Sequence, residues 1–332
     1  MKRWLFLICL TASWVAPAAA VEVIVTATTF PNTITDDQWK VFIRNVAEGA
    51  NPPIQLKMMI RGELGSEEIM VNAARRGRVQ LTAQSLTGTS QTVPELAVLA
   101  LPYLFDSTAQ MDELLETVIP AAVRPLFEQR GLVFLSWIDS GWVGIYAKDA
   151  LTEPSQIAGY KLRTPTVISA QLMAQALKAD AIYIPYPDII PALQTGLIKG
   201  GITADYPFFT GGINVESPYF IYTRHTYDAG MLLANKAWFD GLSPTNQAVI
   251  GKAWGDPMDF RQRSRAYTAA EMAKLPAKGT QVLELTAEQS SRWVAATRIT
   301  HAQLLDRLGP PAQALYDAII EGKKKIALET QR

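Results

Sequence analysis

The chain is poor in the side chains that most often carry chemistry. Its 332 residues include one cysteine, Cys9, and two histidines, His225 and His301, far apart in sequence. A zinc cage of cysteine and histidine at the usual ligand spacing cannot be assembled from them. Positive charge is not in excess either: 31 basic side chains face 31 acidic ones. Nothing in that balance favours nucleic acid or an anionic membrane face. No G-x-S-x-G, Walker-type glycine-lysine loop or G-x-G-x-x-G is present. Aspartate pairs need no motif, so an enzyme is unsupported rather than eliminated, and neither a cofactor nor a metal is expected. Long hydrophobic runs are missing as well. The apolar stretch from Trp4 to Leu10 is far too short to span a bilayer.

That stretch follows Lys2 and Arg3 and precedes Ala18-Ala19-Ala20, the layout of a secretory signal peptide with an A-x-A cleavage site. Residues 1–20 are therefore expected to be removed, and the protein to be periplasmic. Cys9 leaves with them, so the mature chain has neither disulfides nor a lipid-modified cysteine. Removing Lys2 and Arg3 leaves 31 minus 2 basic residues against 31 acidic, a net charge near −2. About 310 mature residues exceed what one core usually organises, which predicts two domains. With 48% hydrophobic residues the chain can fill both cores.

Val21 to Thr28 is rich in β-branched residues and reads as a buried first strand. It ends at Thr29-Phe30-Pro31-Asn32, a turn that should expose Phe30. Trp39, Phe42, Ile43 and Val46 recur at helical spacing within Asp36 to Glu48. Ile54 to Ile60 and Val79 to Ala83 read as further strands, the latter leaving Gln84 and Ser85 at its carboxyl end. A helix following Gly62 to Glu67 lies between them. Alternation of this kind implies α/β architecture with largely parallel pairing and a ligand site outside the carboxyl ends of the strands. Leu132 to Trp137 reads as a strand reaching a crossover at Asp139-Ser140-Gly141-Trp142. Gly144 to Ala147, Gly159 to Arg163 and Ala181 to Ile184 read as strands of a second domain, and Ala229 to Asn235 as a strand returning to the first. A helical region runs from Thr245 to about Lys274, and two more helices, Ala287 to Leu308 and Ala312 to Lys325, close the chain.

The most informative segment is Gly159-Tyr160-Lys161-Leu162-Arg163-Thr164-Pro165, a strand that delivers one fixed positive charge. A planar guanidinium matches both oxygens of a carboxylate and stays charged in any environment. About thirty residues later Pro191 to Gly201 reads as a helix ending in a turn. Together they suit the holding of a carboxylate.

These segments also carry a family resemblance. GELGSEEIMVNAARRGRVQL (Gly62 to Leu81), VPELAVLALPYLF (Val93 to Phe105), GYKLRTP, ALQTGLIKGG (Ala192 to Gly201) and TRHTYDAGMLLANKAWFDGLSP (Thr223 to Pro244) resemble, in order, the DctP-type solute-binding proteins of TRAP (tripartite ATP-independent periplasmic) transporters. The resemblance implies a two-domain periplasmic binding protein fold with mixed sheets, a hinge cleft and a long helix spanning both domains. Placed on this chain, it gives an N-terminal α/β domain of residues 21–141 plus 229–268 and a C-terminal one of 142–228 plus 269–332. It further implies a monomeric receptor that performs no chemistry, closes on a small organic acid and delivers it to the TRAP membrane permease subunits.

Arg163 matches the family's carboxylate-gripping arginine, and Tyr186 the position where an aromatic ring commonly stacks on the ligand. Gln84 matches a polar pocket position. The pattern is broken at Val143, preceded by Trp142, where many relatives supply a second arginine. It is broken again at Thr203, where many have asparagine in the turn after the ALQTG helix, and at Lys199, which replaces that turn's usual acid. Fewer donors suggest a less polar monocarboxylate, walled by Trp142, Tyr186, Tyr206 and Phe30. Trp142 reads equally well as a core residue packing the crossover. Glu67, at the head of a helix, either faces the cleft or complements the helix dipole. His225 reads as a structural histidine. A binding protein of an ABC importer, an extracytoplasmic sensor and a secreted enzyme are the competing readings.

Overall fold

The computed structural model describes residues 21–330. The expected signal peptide, residues 1–20, lies outside the described residues. Nine strands, β1 Val21–Ala27, β2 Ile54–Met59, β3 Leu81–Gln84, β4 Leu132–Ala147, β5 Lys161–Thr164, β6 Asp180–Tyr183, β7 Gly200–Ala204, β8 Tyr219–Asn235 and β9 Gln281–Glu284, form one sheet. Its order is β2-β1-β3-β8-β4-β7-β5-β6, with β9 beside β8. The trios β2-β1-β3 and β7-β5-β6 are each parallel within themselves. Between them β8 and β4 run antiparallel to each other and to the inner strand of each trio.

The sheet is therefore mixed, as the family resemblance implied: pairing is parallel within the trios and at β9, and antiparallel at the centre. That centre is formed by β4 and β8, 16 and 17 residues long. Leu132 to Trp137 and Gly144 to Ala147 belong to one strand, and Ala229 to Asn235 is the end of another. The crossover expected at Asp139-Ser140-Gly141-Trp142 coincides with a register shift in the β4–β8 ladder, one of three. Gly141, at φ 102°, absorbs the irregularity as a bulge instead of ending the strand.

Each half of the sheet is covered on both faces. Val23, Val25 and Leu81 pack with Trp39, Phe42, Trp254 and Phe260 on one side of the first half. Leu96, Leu114, Phe127, Met231 and Leu233 belong to the core on its other side. Around the second half, Ile145, Leu162, Met173 and Ile202 share a core with Trp293, while Tyr146, Phe208 and Phe220 share another with Leu275. Both long strands pass from one half to the other: Ile138 lies in a first-half core and Val143 in a second-half core.

Helices tie the halves together. The expected helical region after Ser243 is broken at Gly255 (φ 87°) into Pro244–Lys252 and Pro257–Met272. The second of these spans the halves, with Phe260 in a first-half core and Met272 in a second-half core. Its Arg265 donates to both oxygens of Asp112 at 2.7 and 2.8 Å and, through Nε, to the Tyr227 hydroxyl at 2.9 Å. Tyr227 in turn donates to Asp139. The C-terminal helices reach both halves. Trp293 of Ala287–Thr297 joins the second half, while Leu304 of Ile299–Leu308 and Ala312, Leu315 and Ile319 of Pro310–Thr330 belong to a core that holds Leu96 and Phe127 of the first half together with Val167 and Leu172 of the second. An apolar stripe shows that a helix covers a core without showing which core. Among the described residues no helix is long and apolar enough to cross a membrane.

Trp254 anchors the first half. It is 1% exposed and meets Trp39 and Phe260 edge-on, ring centroids 5.0 and 5.4 Å apart. Trp254→Ala is expected to lower unfolding stability by about 3–5 kcal/mol. A urea midpoint unchanged from wild type would show that this cluster does not hold the half together.

Candidate functional site

The carboxyl ends of β1, β3, β5 and β7 converge on one cavity where the two halves meet. It encloses about 170 Å³, whereas a single ordered water needs only ~10–15 Å³ by the same measure. The space therefore suits a small organic molecule. At its mouth the halves touch: the Thr166 hydroxyl donates to Glu68 at 2.8 Å, and Gln91 donates to the Thr166 carbonyl at 2.7 Å.

Arg163 sits on β5 and is 4% exposed. Its Nε donates to the Ile184 carbonyl at 3.0 Å and Nη1 to the Ile202 carbonyl at 2.8 Å. Among the described residues no carboxylate lies within ion-pair distance of it. Burial lowers its pKa, partly opposed by Tyr146, Tyr186, Glu67 and Glu68. A guanidinium taken from water and held by neutral carbonyls is incompletely compensated, and an anion reaching it recovers part of the desolvation cost. Among the described residues Arg163 is also the only lysine or arginine lining the cavity. Its neighbour across the ladder is Gly201. A Cβ there would overlap the Tyr146 hydroxyl and lie 2.9 Å from Arg163 Cβ.

The other anticipated residues divide. Phe30, Glu67, Gln84, Tyr186, Thr203 and Tyr206 all line the cavity with Arg163. Phe30 stands in the turn after β1, where the Thr33 hydroxyl donates to its carbonyl at 2.7 Å. Tyr186 is fixed by a 2.7 Å hydrogen bond from its hydroxyl to the Pro207 carbonyl, and burial pushes its phenol pKa up. Tyr206 places its ring edge-on to Phe209, centroids 5.7 Å apart. Thr203 lies on β7, not in a turn, because the strand begins at Gly200. Gln84 donates to Thr82 Oγ1 at 2.8 Å, and its buried Oε1 has no hydrogen-bond partner.

Trp142 is not among the lining residues. Its ring packs edge-on to Tyr227 at 5.2 Å and against the cores on either side. The adjacent Val143 lines the cavity in its place. Alternation along β4 explains the difference, since neighbouring side chains point to opposite faces.

Sequence reasoning missed most of the acid in this site. Asp139 and Asp228 line the cavity with Glu67, and Asp205 stands at the end of β7. The Leu86 N–H donates to Asp228 at 3.1 Å, while the Ser85 N–H and hydroxyl donate to Glu67 at 2.9 and 2.5 Å. Asp205 accepts from Tyr222 at 3.1 Å and from its neighbour's N–H, Tyr206, at 2.8 Å. Burial raises the pKa of Glu67 and Asp139. Burial first, then a neighbouring carboxylate, pushes Asp205 and Asp228 up to about 7. Asp228 lies in the TRHTYD run, just before the wholly buried end of β8, Ala229 to Asn235. His225 lines the cavity as a neutral imidazole; its ring meets the Thr223 hydroxyl at 2.7 Å and burial lowers its pKa to about 3. Among the described residues no group of histidine, cysteine and acid is placed to hold a metal ion.

The family model for bacterial extracellular solute-binding protein family 7, DctP, matches residues 26–307. The chain belongs to this family. Its members are solute-binding receptors, so the non-enzymatic reading is consistent with membership. The C4-dicarboxylate-binding periplasmic protein DctP of Rhodobacter capsulatus is 24% identical over 81% of each chain. A shorter match, to the uncharacterized protein y4mM of Sinorhizobium fredii, is 34% identical over 160 residues, 48% of this chain and 30% of that protein. Among solved structures, the periplasmic ectoine-binding protein of the TeaABC TRAP transporter of Halomonas elongata superposes with a TM-score of 0.85 at 20% identity, covering 92% of this chain and 100% of that one. The sugar acid binding protein DctPAm of Advenella mimigardefordensis, in complex with galactonate, gives 0.84 at 23% identity, covering 91% and 99%. These likenesses bear on the fold.

Two expectations arise from the geometry. Gly201→Ala should displace the Arg163 side chain and weaken ligand binding about tenfold or more while the protein still folds; retained affinity, measured by calorimetry, would show that β7 does not fix the guanidinium. The second concerns pH. Asp205 and Asp228, at about 7 when folded, titrate near 3.9 when unfolded. The folded state holds their protons more tightly, so the stability they contribute is complete below the unfolded value and is lost as pH rises to the folded one. His225 acts in the opposite sense at acid pH, because only the unfolded chain protonates it readily. The comparison that isolates the acids is wild type against the Asp205→Asn, Asp228→Asn double variant. Between about pH 5.5 and about pH 8 the wild type should lose melting temperature relative to it. A constant difference would mean that neither acid titrates in that range.

Proposed function

We propose that the chain is the periplasmic receptor of a TRAP importer, capturing a small organic acid between its two halves and delivering it to the membrane permease. The observation that carries this reading is Arg163: a buried guanidinium, without a carboxylate partner among the described residues, facing a ligand-sized cavity. Relatives named for a C4-dicarboxylate or a sugar acid agree with an anionic guest. Arg163 grips the carboxylate, Tyr186 covers it, and Gln84 and Thr203 supply further hydrogen bonds. Closure excludes water, which strengthens the charged contact. The mature chain acts as a monomer after signal cleavage.

The walls narrow the class of acid. Phe30, Trp39, Val143, Met173 and Tyr206 contribute apolar surface to the cavity, and no second lining cation is present to hold a second carboxylate. We infer a monocarboxylate with an apolar or aromatic portion. A thermal-shift screen in which only dicarboxylates or sugar acids bind would overturn that part.

Arg163→Ala should cost about 2–5 kcal/mol of binding, or about 30-fold to several thousand-fold in affinity, while the protein still melts cooperatively. Arg163→Lys should also weaken binding, because an ammonium cannot reproduce the fork. Wild-type affinity in the alanine variant would remove Arg163 from the site.

A further inference from the structure

Arg163 comes from the second half of the sheet. The facing wall, from the first half, offers the ligand acceptors. Glu67 and Asp228 both stand over the segment Ser85-Leu86, accepting from its N–H groups at 2.9 and 3.1 Å. Glu67 is further occupied by the Ser85 hydroxyl, but Asp228 Oδ2 has no hydrogen-bond partner among the described residues. Beside them Gln84, 3% exposed, leaves its buried Oε1 unpartnered. A buried acceptor without a donor is costly, and the cost is recovered only when a guest supplies the donor.

Charge selects the kind of donor. Among the described residues Glu67, Glu68, Asp139 and Asp228 line a cavity whose only lining lysine or arginine is Arg163; Asp139 already accepts from Tyr227 and stands 3.9 Å from Arg265, and Glu68 accepts from Thr166. A simple carboxylate entering this space adds another anion. Hydroxyl groups would satisfy Gln84 and Asp228 individually, yet leave Glu67 and Asp228 repelling each other. A cationic nitrogen supplies donors and offsets the acid together.

We propose that the ligand is a zwitterion, its carboxylate on Arg163 and a protonated nitrogen, ammonium or amidinium, against Asp228, Glu67 and Gln84 Oε1. This rests on the organic-acid reading and narrows it. Its carbon frame accounts for the apolar walls between the two charged ends.

The test uses chain-matched pairs that differ in the nitrogen: γ-aminobutanoate and pentanoate, proline and cyclopentanecarboxylate, β-alanine and butanoate. Melting temperature and calorimetry are measured on the mature protein. In each pair that binds, the zwitterion should bind at least about tenfold more tightly. Asp228→Asn, which keeps the acceptor for Leu86 N–H, should abolish most of that preference, whereas Arg163→Ala weakens both members. Should Asp228→Asn fail to fold, wild-type calorimetry in buffers of different ionisation enthalpy replaces it: a cation beside these acids drives proton release on binding, and a neutral-chain acid drives uptake. Equal or tighter binding of the neutral-chain acids, or a preference that survives in Asp228→Asn, overturns the zwitterion and leaves the organic-acid receptor standing. If neither member of any pair binds, the zwitterion falls together with the organic-acid reading.

Discussion

One buried guanidinium organises the molecule. Arg163 is held by the Ile184 and Ile202 carbonyls, so its position depends on the path of the chain just past β6 and on the register of β7 beside β5. That register sets Gly201 against Arg163, where a glycine is required because any Cβ would intrude on Tyr146 and on the arginine itself. Neutral carbonyls orient the fork without neutralising it. Had a permanent carboxylate of the protein closed the pair, the site would be satisfied and would have little affinity to offer an anion.

The sheet explains how such a charge is kept from water and yet made reachable. Parallel strands in each half direct their carboxyl ends toward the same place, since the two trios meet through the antiparallel β4–β8 pair. The irregularities that bend this pair include the step between Asp139 and Gly141, beside the cavity. There Gly141 lets Asp205 approach so closely that a side chain would overlap its carboxylate. The spanning helix reaches the same point through Arg265, Tyr227 and Asp139. Bending of the long strands and the polar links across them are thus concentrated at the ligand site, where relative movement of the halves would be felt.

Much of this was legible in the sequence, and the failures share a cause. The β-branched run at β1, the GYKLRTP strand and the cavity positions of Phe30, Glu67, Gln84, Tyr186, Thr203 and Tyr206 were recoverable because period, turn residues and motif are local. Trp142, read equally as cavity wall and as core, packs into the core because one residue of strand register decides which of two neighbours faces the cavity. Glycines within β4 read as a break because sequence does not distinguish a bulge from a turn. Asp139, Asp205 and Asp228 escaped notice for a different reason: they are far apart in sequence, and only the fold brings them near one another.

That gathering of acids bears on the missing second arginine. Val143, where the family resemblance led to the expectation of one, is 6% exposed and lines the cavity on β4. A second guanidinium at that position would stand in the same small space as Glu67, Asp139 and Asp228, and would pair with them before any ligand arrived. With valine there, β4 supplies no cation to them; burial raises the pKa of each, and Asp228 keeps a demand for a donor that Asp139, met by Tyr227 and Arg265, does not. Loss of an arginine therefore does more than reduce affinity for a second carboxylate. It turns the wall opposite Arg163 from one that would receive an anion into one that favours a proton or a cation, and the two ends of the cavity then ask for opposite charge.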